Sequence, residues 1–246
     1  MNRRAMWKPS LGRVHASEAA TLAFDTYVDL LPNDRQPAVR SVDGGTPLTF
    51  EALKNFISSM ALGRLGLGQG DRLCSSMPNG PEAAIAFLAF SPYCSYAPLN
   101  PALTRDEVEF EFVDLPAKAV VVRRGESNSV TTSVAKEKGV AVLELVPTGR
   151  GVGLFILESS PIRSLQPVPQ RMGGRHDICL VLHTSGTTAK PKIVPLHHEN
   201  LACGALCIAS ALKLRRDSVN LNVMPCVPPH RARGSLHSLT HTSPQR

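Results

Sequence analysis

Several features that mark common protein classes are missing from this sequence. It has no run of ~18–20 apolar residues, the length that a membrane span needs, so no span is predicted. The six cysteines have no paired spacing, which argues against a disulfide framework and favours reduced thiols inside a cell. Aromatic residues make up only 5% of the chain, too few for the base-stacking platforms of nucleic-acid-binding proteins.

Acidic residues are absent from both ends of the chain. Residues 1–14 carry four basic residues and residues 226–246 carry three, so the net charge of +7 comes from the ends, and the body between them is neutral. A nucleic-acid binder places its excess charge on a folded face, so we expect no nucleic-acid partner and two disordered ends. The N-terminal end lacks the apolar core of a secretory signal; an organellar transit segment is the alternative to plain disorder.

The spacing of apolar residues predicts an α/β protein with mainly parallel strands. We expect a hairpin over 39–50, built around Asp43-Gly44-Gly45, and a long connection over 147–176. Asn79 is the predicted cap of the third helix, and Thr104 with Glu107 has capping-box spacing. The predicted helices are 17–31, 51–65, 82–90, 104–114, 126–138 and 197–213. The predicted strands are 71–77, 94–99, 117–122, 140–146, 178–182 and 219–223.

A loop rich in hydroxyl, glycine and lysine residues follows the predicted strand 178–182. Glycine lets backbone N–H groups approach oxygen atoms, hydroxyls donate hydrogen bonds and lysine offsets negative charge, as a polyphosphate site requires. Ligands of α/β folds bind at the carboxyl ends of strands, where this loop would lie. The order of a Walker A loop is absent, and composition alone explains a polar surface loop equally well. The loop reads His183-Thr184-Ser185-Gly186-Thr187-Thr188-Ala189-Lys190-Pro191-Lys192.

Residues 182–194 resemble the AMP-binding signature of the adenylate-forming (acyl-activating) enzymes, Thr-Ser-Gly-Thr-Thr-Gly-x-Pro-Lys-Gly-Val. Ala189 and Ile193 stand where that signature has glycine. His183 before the loop and Pro195-Leu196 after it are similar to the oxalate–CoA ligase (peroxisomal CoA synthetase) group. Further segments resemble the family in the same order, namely 48–53, 68–73, 77–82, 97–101, 107–110 and 198–201.

The resemblance implies an incomplete N-terminal (large) domain of the adenylate-forming fold over residues 15–225. It also implies a two-step reaction, in which ATP and a small-molecule carboxylate give an acyl-adenylate and coenzyme A then gives a thioester. Mg²⁺ is the family's metal cofactor, and the cytoplasm or the peroxisome is the implied location. No catalytic nucleophile and no metal ligand are predicted in this chain. The residues implied to hold the β- and γ-phosphate oxygens are Thr184, Ser185, Gly186, Thr187, Thr188 and Lys192.

The similarity to the family ends near residue 225. Residues 226–246 are rich in His, Arg, Ser and Pro, where the family continues with its nucleotide contacts, its magnesium ligand and its catalytic lysine. We therefore expect a truncated chain that is inactive alone, explained by a reading-frame slip, an unspliced intron or a genuine short isoform. The alternative function is a non-catalytic fragment or pseudoenzyme that acts as a nucleotide-binding or interaction module. No oligomeric state is predicted.

Overall fold

The computed structural model describes residues 23–126, 129–159, 165–184 and 191–222. The predicted ends, 1–14 and 226–246, lie outside these ranges. Within them, the α-helices are α1 (Phe50–Ser59), α2 (Pro81–Phe90), α3 (Arg105–Asp114), α4 (Val130–Lys138) and α5 (His198–Ala211). The strands are β1 (Pro37–Val39), β2 (Leu48–Thr49), β3 (Arg72–Ser76), β4 (Ser95–Leu99), β5 (Ala119–Arg123), β6 (Ala141–Pro147), β7 (Phe155–Ser159), β8 (Ile178–Thr184) and β9 (Lys192–His197).

Short polar residues fix where several helices begin. The Oγ1 of Thr49 accepts a hydrogen bond from the backbone N–H of Ala52 at the start of α1, at 3.2 Å. At α3 the predicted capping box is confirmed, because Glu107 accepts a bond of 2.8 Å from the backbone N–H of Thr104. The predicted cap of α2 is wrong: Gly80, not Asn79, is the N-cap, and Pro81 takes the first helical position. Proline fits there because that position has no N–H partner within the helix.

The larger sheet has the strand order β7-β6-β5-β3-β4-β8-β9. Its five inner strands are parallel, as the sequence predicts, and β7 and β9 are antiparallel additions at the two sides. The predicted hairpin over 39–50 is also confirmed, since β1 and β2 pair as a separate antiparallel ribbon.

Both faces of the inner strands are buried. Consecutive side chains of a strand point to opposite faces, so one strand contributes to two cores. On β3, for example, Leu73 belongs to one apolar core and Cys74 to the other. The first core is covered by α1 and α2, and the second by α3 and α4. This double cover explains why β5 and β6 are nearly continuous apolar runs in the sequence.

Two predicted elements are wrong where the structure describes them. Residues 23–31 contain a single 3₁₀ turn, Tyr27–Leu30, in place of the end of an α-helix over 17–31. Leu31 is extended, as expected of a residue that precedes a proline. Residues 219–222 form no strand, and Val219 and Leu221 are exposed.

Two strands were not predicted. β7 lies inside the expected long connection over 147–176, where surrounding glycines and prolines obscure the short apolar run Phe155-Ile156-Leu157. β9 contains Pro195, which argues against a central strand but is tolerated at the side of a sheet. In the described part of the chain, no helix is both long and apolar enough to cross a bilayer.

Gly66 ends the second 3₁₀ helix, Leu62–Leu65, with a φ of +77°. A Cβ at this position would collide with the Cβ of Leu165 and lie 2.8 Å from the carbonyl oxygen of Gln166. Gly70 has a similar φ of +83°, but no atom lies within 4 Å of a Cβ built there. An alanine at Gly66 would therefore suffer both backbone strain and steric overlap, whereas an alanine at Gly70 would suffer backbone strain alone.

We expect Gly70→Ala to lower the free energy of unfolding by about 1 kcal/mol, the cost of a left-handed backbone with a Cβ. Gly66→Ala should cost a further ~1–3 kcal/mol, because the added methyl overpacks the contact with residues 165 and 166. Urea denaturation of both variants measures the difference. Equal losses in the two variants would contradict the close packing at Gly66.

Candidate functional site

The candidate loop begins and ends on a two-stranded hairpin. Strands β8 and β9 are antiparallel, and their last register pair joins Thr184 to Lys192. Paired residues of an antiparallel ribbon have Cα atoms about 4.5–5.5 Å apart. The first and last of the predicted phosphate-binding residues are therefore brought together by backbone pairing, and Lys192 is exposed to solvent. Ser185, Gly186, Thr187 and Thr188 lie outside the described residues, so their role stays a prediction.

The hairpin is attached to the sheet at a point where two connections diverge. Because β8 is parallel to β4, its carboxyl end lies at the same edge as the carboxyl ends of the other inner strands. From β4 the chain passes through α3 to β5, on the far side of β3, whereas from β8 it returns through β9 on the opposite side. Open α/β sheets bind ligands at such switch points. The topology therefore supports a ligand site beside the Thr184–Lys192 pair.

His183, the residue before Thr184, lies between two carboxylates of α3. Its Nε2 is 2.8 Å from Oδ2 of Asp114, and its Nδ1 contacts a carboxylate oxygen of Glu111. The side chains of His183 and Glu111 are each 2% exposed, and that of Asp114 is 37% exposed. A neutral imidazole has only one N–H, so the ring can donate to both carboxylates only in its protonated form.

The two carboxylates favour the protonated form of His183. Burial by itself lowers the pKa of this histidine, but the hydrogen bonds and charges of Glu111 and Asp114 raise the pKa above its ordinary value on balance. Neither carboxylate was identified from the sequence. The signal that was available is Glu111 itself, a charged residue inside the apolar stripe formed by Val108, Phe112 and Leu115.

A second buried histidine, His198, has the opposite environment at the start of α5. It is 1% exposed, and among the described residues neither of its ring nitrogens has a hydrogen-bond partner. Its ring lies 5.4 Å from that of Tyr27. Burial lowers the pKa of His198 to about 4, although Asp177 and Asp29 act weakly in the other direction. His198 is therefore neutral at pH 7.

An ion pair beside His198 connects α5 to the segment 165–177. Nε and a terminal nitrogen of Arg175 donate to Oε1 of Glu199 at 3.0 and 2.7 Å. The guanidinium of Arg175 also stacks on the ring of Phe24, 4.6 Å from its centroid. These contacts fix the start of α5, the helix that directly follows β9.

Thiol chemistry at the buried cysteines and metal binding have little support in the described residues. Cys74, Cys94 and Cys179 are buried, and burial raises the pKa of the Cys179 thiol to about 12. A thiol with so high a pKa is a poor nucleophile at neutral pH. Over the same ranges, no group of three or more His, Cys, Asp or Glu side chains could hold a metal ion.

Comparison with known proteins gives a consistent result. The family model described as AMP-binding enzyme matches residues 31–230. A probable CoA ligase of Humulus lupulus is 33% identical, over 77% of this chain and 37% of its own length. An oxalate–CoA ligase of Arabidopsis thaliana is 30% identical, over 84% of this chain and 41% of its own length. The chain thus spans about two fifths of the length of these curated relatives.

A solved structure agrees with these sequence matches. The acyl-CoA synthetase of Brucella canis superimposes with a TM-score of 0.63 at 25% identity. The match covers 84% of this chain and 41% of that structure. The arrangement of sheet and helices described above is therefore shared with a CoA synthetase.

The environment of His198 predicts a loss of stability in acid. Its pKa in the folded chain is about 4, whereas an unperturbed histidine has a pKa of about 6.5, so the unfolded chain takes up a proton first as the pH falls. The contribution of His198 to the free energy of unfolding is therefore fully present above pH ~6.5. It is lost towards pH ~4, by about 3 kcal/mol in total. In His198→Phe, urea denaturation between pH 7 and pH 4 should show a flatter profile than in the unsubstituted chain.

Exposed His176 provides the control, because His176→Gln should leave the acid-side loss unchanged. His183 cannot produce the same effect. Its pKa is raised, so its contribution is present at low pH and is lost as the pH rises. A profile that is equally steep in His198→Phe and in the unsubstituted chain would refute the assignment.

Proposed function

Because the chain belongs to the AMP-binding enzyme family, we propose that it supplies the polyphosphate-binding part of an ATP-dependent acid–CoA ligase. The observation that carries this proposal is the β8–β9 hairpin, whose Thr184–Lys192 pair closes the signature loop at the switch point of the sheet. The resemblance seen in the sequence and the α/β fold are both confirmed.

In this proposal the loop binds ATP and does not react with it. Lys192 supplies a positive charge to the β- and γ-phosphates, and the hydroxyls and backbone N–H groups of Thr184, Ser185, Gly186, Thr187 and Thr188 donate to the phosphate oxygens. Holding the polyphosphate at a fixed edge of the sheet orients the α-phosphorus towards the incoming carboxylate. No described residue is assigned to Mg²⁺, because these residues offer no suitable cluster.

The proposed chemistry has two balanced steps. A carboxylate oxygen attacks the α-phosphorus of ATP, a C–O–P linkage forms, and pyrophosphate leaves with the electrons of the broken P–O bond. The sulfur of coenzyme A then attacks the acyl carbon, its proton is released, and AMP leaves. Oxalate is the first acid to test, because one of the relatives is an oxalate–CoA ligase. A cytoplasmic or peroxisomal location stays a prediction from the resemblance.

Residues 15–225 are proposed as the AMP-binding body, with residues 1–14 and 226–246 as disordered ends. A non-catalytic nucleotide-binding or interaction module remains the second candidate function. Binding and catalysis therefore need separate tests.

The binding test uses Lys192→Ala. We expect the dissociation constant for ATP, measured by calorimetry, to rise roughly 10- to 100-fold, the effect of losing a charged hydrogen bond. The binding of tripolyphosphate should weaken in parallel. Any affinity for AMP should stay unchanged, because AMP lacks the β- and γ-phosphates. Lys136→Ala is the matched control, since Lys136 is an exposed lysine of α4. Equal losses for ATP and AMP would contradict the assignment of Lys192.

The catalytic test measures acid-dependent exchange of labelled pyrophosphate into ATP. We expect no measurable exchange by the 246-residue chain with oxalate or other short carboxylates. Charge develops at the α-phosphate in the transition state, whereas the proposed contacts reach only the β- and γ-phosphates. ATP binding by the same preparation provides the control for folding. Robust exchange would refute the expectation that this chain is inactive alone.

A further inference from the structure

We propose that His183 is a positioning residue, which couples the phosphate-loop hairpin to α3 through Glu111 and Asp114. This inference rests on the proposed function and extends it to three residues to which neither the family signature nor the comparisons assign a role. His183 precedes the loop and points to α3, so it acts on the loop through the backbone rather than through contact with ATP.

The geometry supports coupling between elements that are distant in sequence. His183 lies on β8, whereas its partners Glu111 and Asp114 lie on α3, 69 to 72 residues earlier. His183 is also the register partner of Ile193 on β9. Holding its ring therefore restrains both strands immediately below the Thr184–Lys192 pair, from which the loop begins and ends.

The charge balance explains why a histidine is required at this position. Glu111 is almost fully buried, and a buried carboxylate without a partner is strongly destabilising. When protonated, the His183 ring offsets that charge, and its second N–H reaches half-buried Asp114. Its two nitrogens face two different carboxylates, so the cluster restrains the direction of the ring as well as its distance from α3.

The other charged groups near the cluster do not replace this interaction. On α3, Glu109 faces away, and it pairs with Lys138 at 2.9 Å and with Arg105 at 3.4 Å. On β9, Lys192 belongs to the neighbouring register pair. The ring of Phe110 lies 5.9 Å from that of His183 and adds an apolar wall.

The experiment separates positioning from stability with a double substitution, Glu111→Leu with His183→Leu. Replacing a buried ion pair by apolar residues often preserves stability, so this variant should stay folded in urea denaturation. We expect its dissociation constant for ATP to rise roughly 3- to 30-fold, as for other residues that couple without touching the ligand. Amide hydrogen exchange of residues 182–184 and 192–194 should become faster.

Glu109→Gln is the matched control, because it removes a carboxylate from the exposed side of the same helix. It should change neither ATP affinity nor exchange in the hairpin. Asp114→Asn is the second variant. Asp114 is partly exposed, so this variant should fold. Its ATP affinity and its exchange protection in the hairpin should both fall, by less than in the double-leucine variant.

Each outcome decides the proposal. A folded double-leucine variant with unchanged ATP affinity and unchanged exchange would overturn it, since apolar packing would then suffice. If the double variant does not fold, Asp114→Asn decides. The proposal would be overturned if ATP affinity and hydrogen exchange in the hairpin were the same in Asp114→Asn as in Glu109→Gln. If the unsubstituted chain does not bind ATP, the proposed function fails, and hydrogen exchange in the hairpin alone decides whether His183 positions it.

Discussion

The parallel junction between β4 and β8 is the interaction on which the arrangement of the candidate site depends. These strands are about 80 residues apart in sequence, and the register pair Tyr96–Leu180 joins them. The Oγ of Ser95 also donates to the carbonyl oxygen of Ile178, at 2.9 Å. Through this junction the β8–β9 hairpin becomes part of a sheet whose other strands lie earlier in the sequence. The two ends of the signature loop, Thr184 and Lys192, thereby come to lie at an edge already defined by the strands β3, β4 and β5.

The parts of the fold that follow from local patterns were predictable from the sequence. The inner strands β5 and β6 are nearly continuous apolar runs because both of their faces are buried, and α3 begins at a capping box that the residue types alone reveal. β9 was missed because Pro195 is incompatible with a central strand, and only the strand order shows that this position is lateral. The turn at Tyr27–Leu30 was predicted as an α-helix because helical spacing does not distinguish α from 3₁₀ geometry over one turn.

The residues of the candidate site were likewise predictable only in part. Thr184 and Lys192 were identified because the signature is continuous in sequence. The partners of His183 were not, because Glu111 and Asp114 approach it only after α3 packs beside β8. His183 and His198 show how far the environment decides the behaviour of one residue type. Each is buried, yet two carboxylates raise the pKa of His183, whereas burial lowers the pKa of His198 to about 4.

The antiparallel strands at the two sides of the sheet have a consequence for association between molecules. A lateral strand presents backbone groups that a strand of another molecule could pair with. On β9, Pro195 removes one donor and Lys192 places a charge at the end of the strand, and both features oppose such pairing. β7 has no proline, its charged Glu158 is paired with Arg124, and Ile156 on it is half exposed. Self-association at high concentration would therefore begin at β7, on the side of the sheet opposite the hairpin.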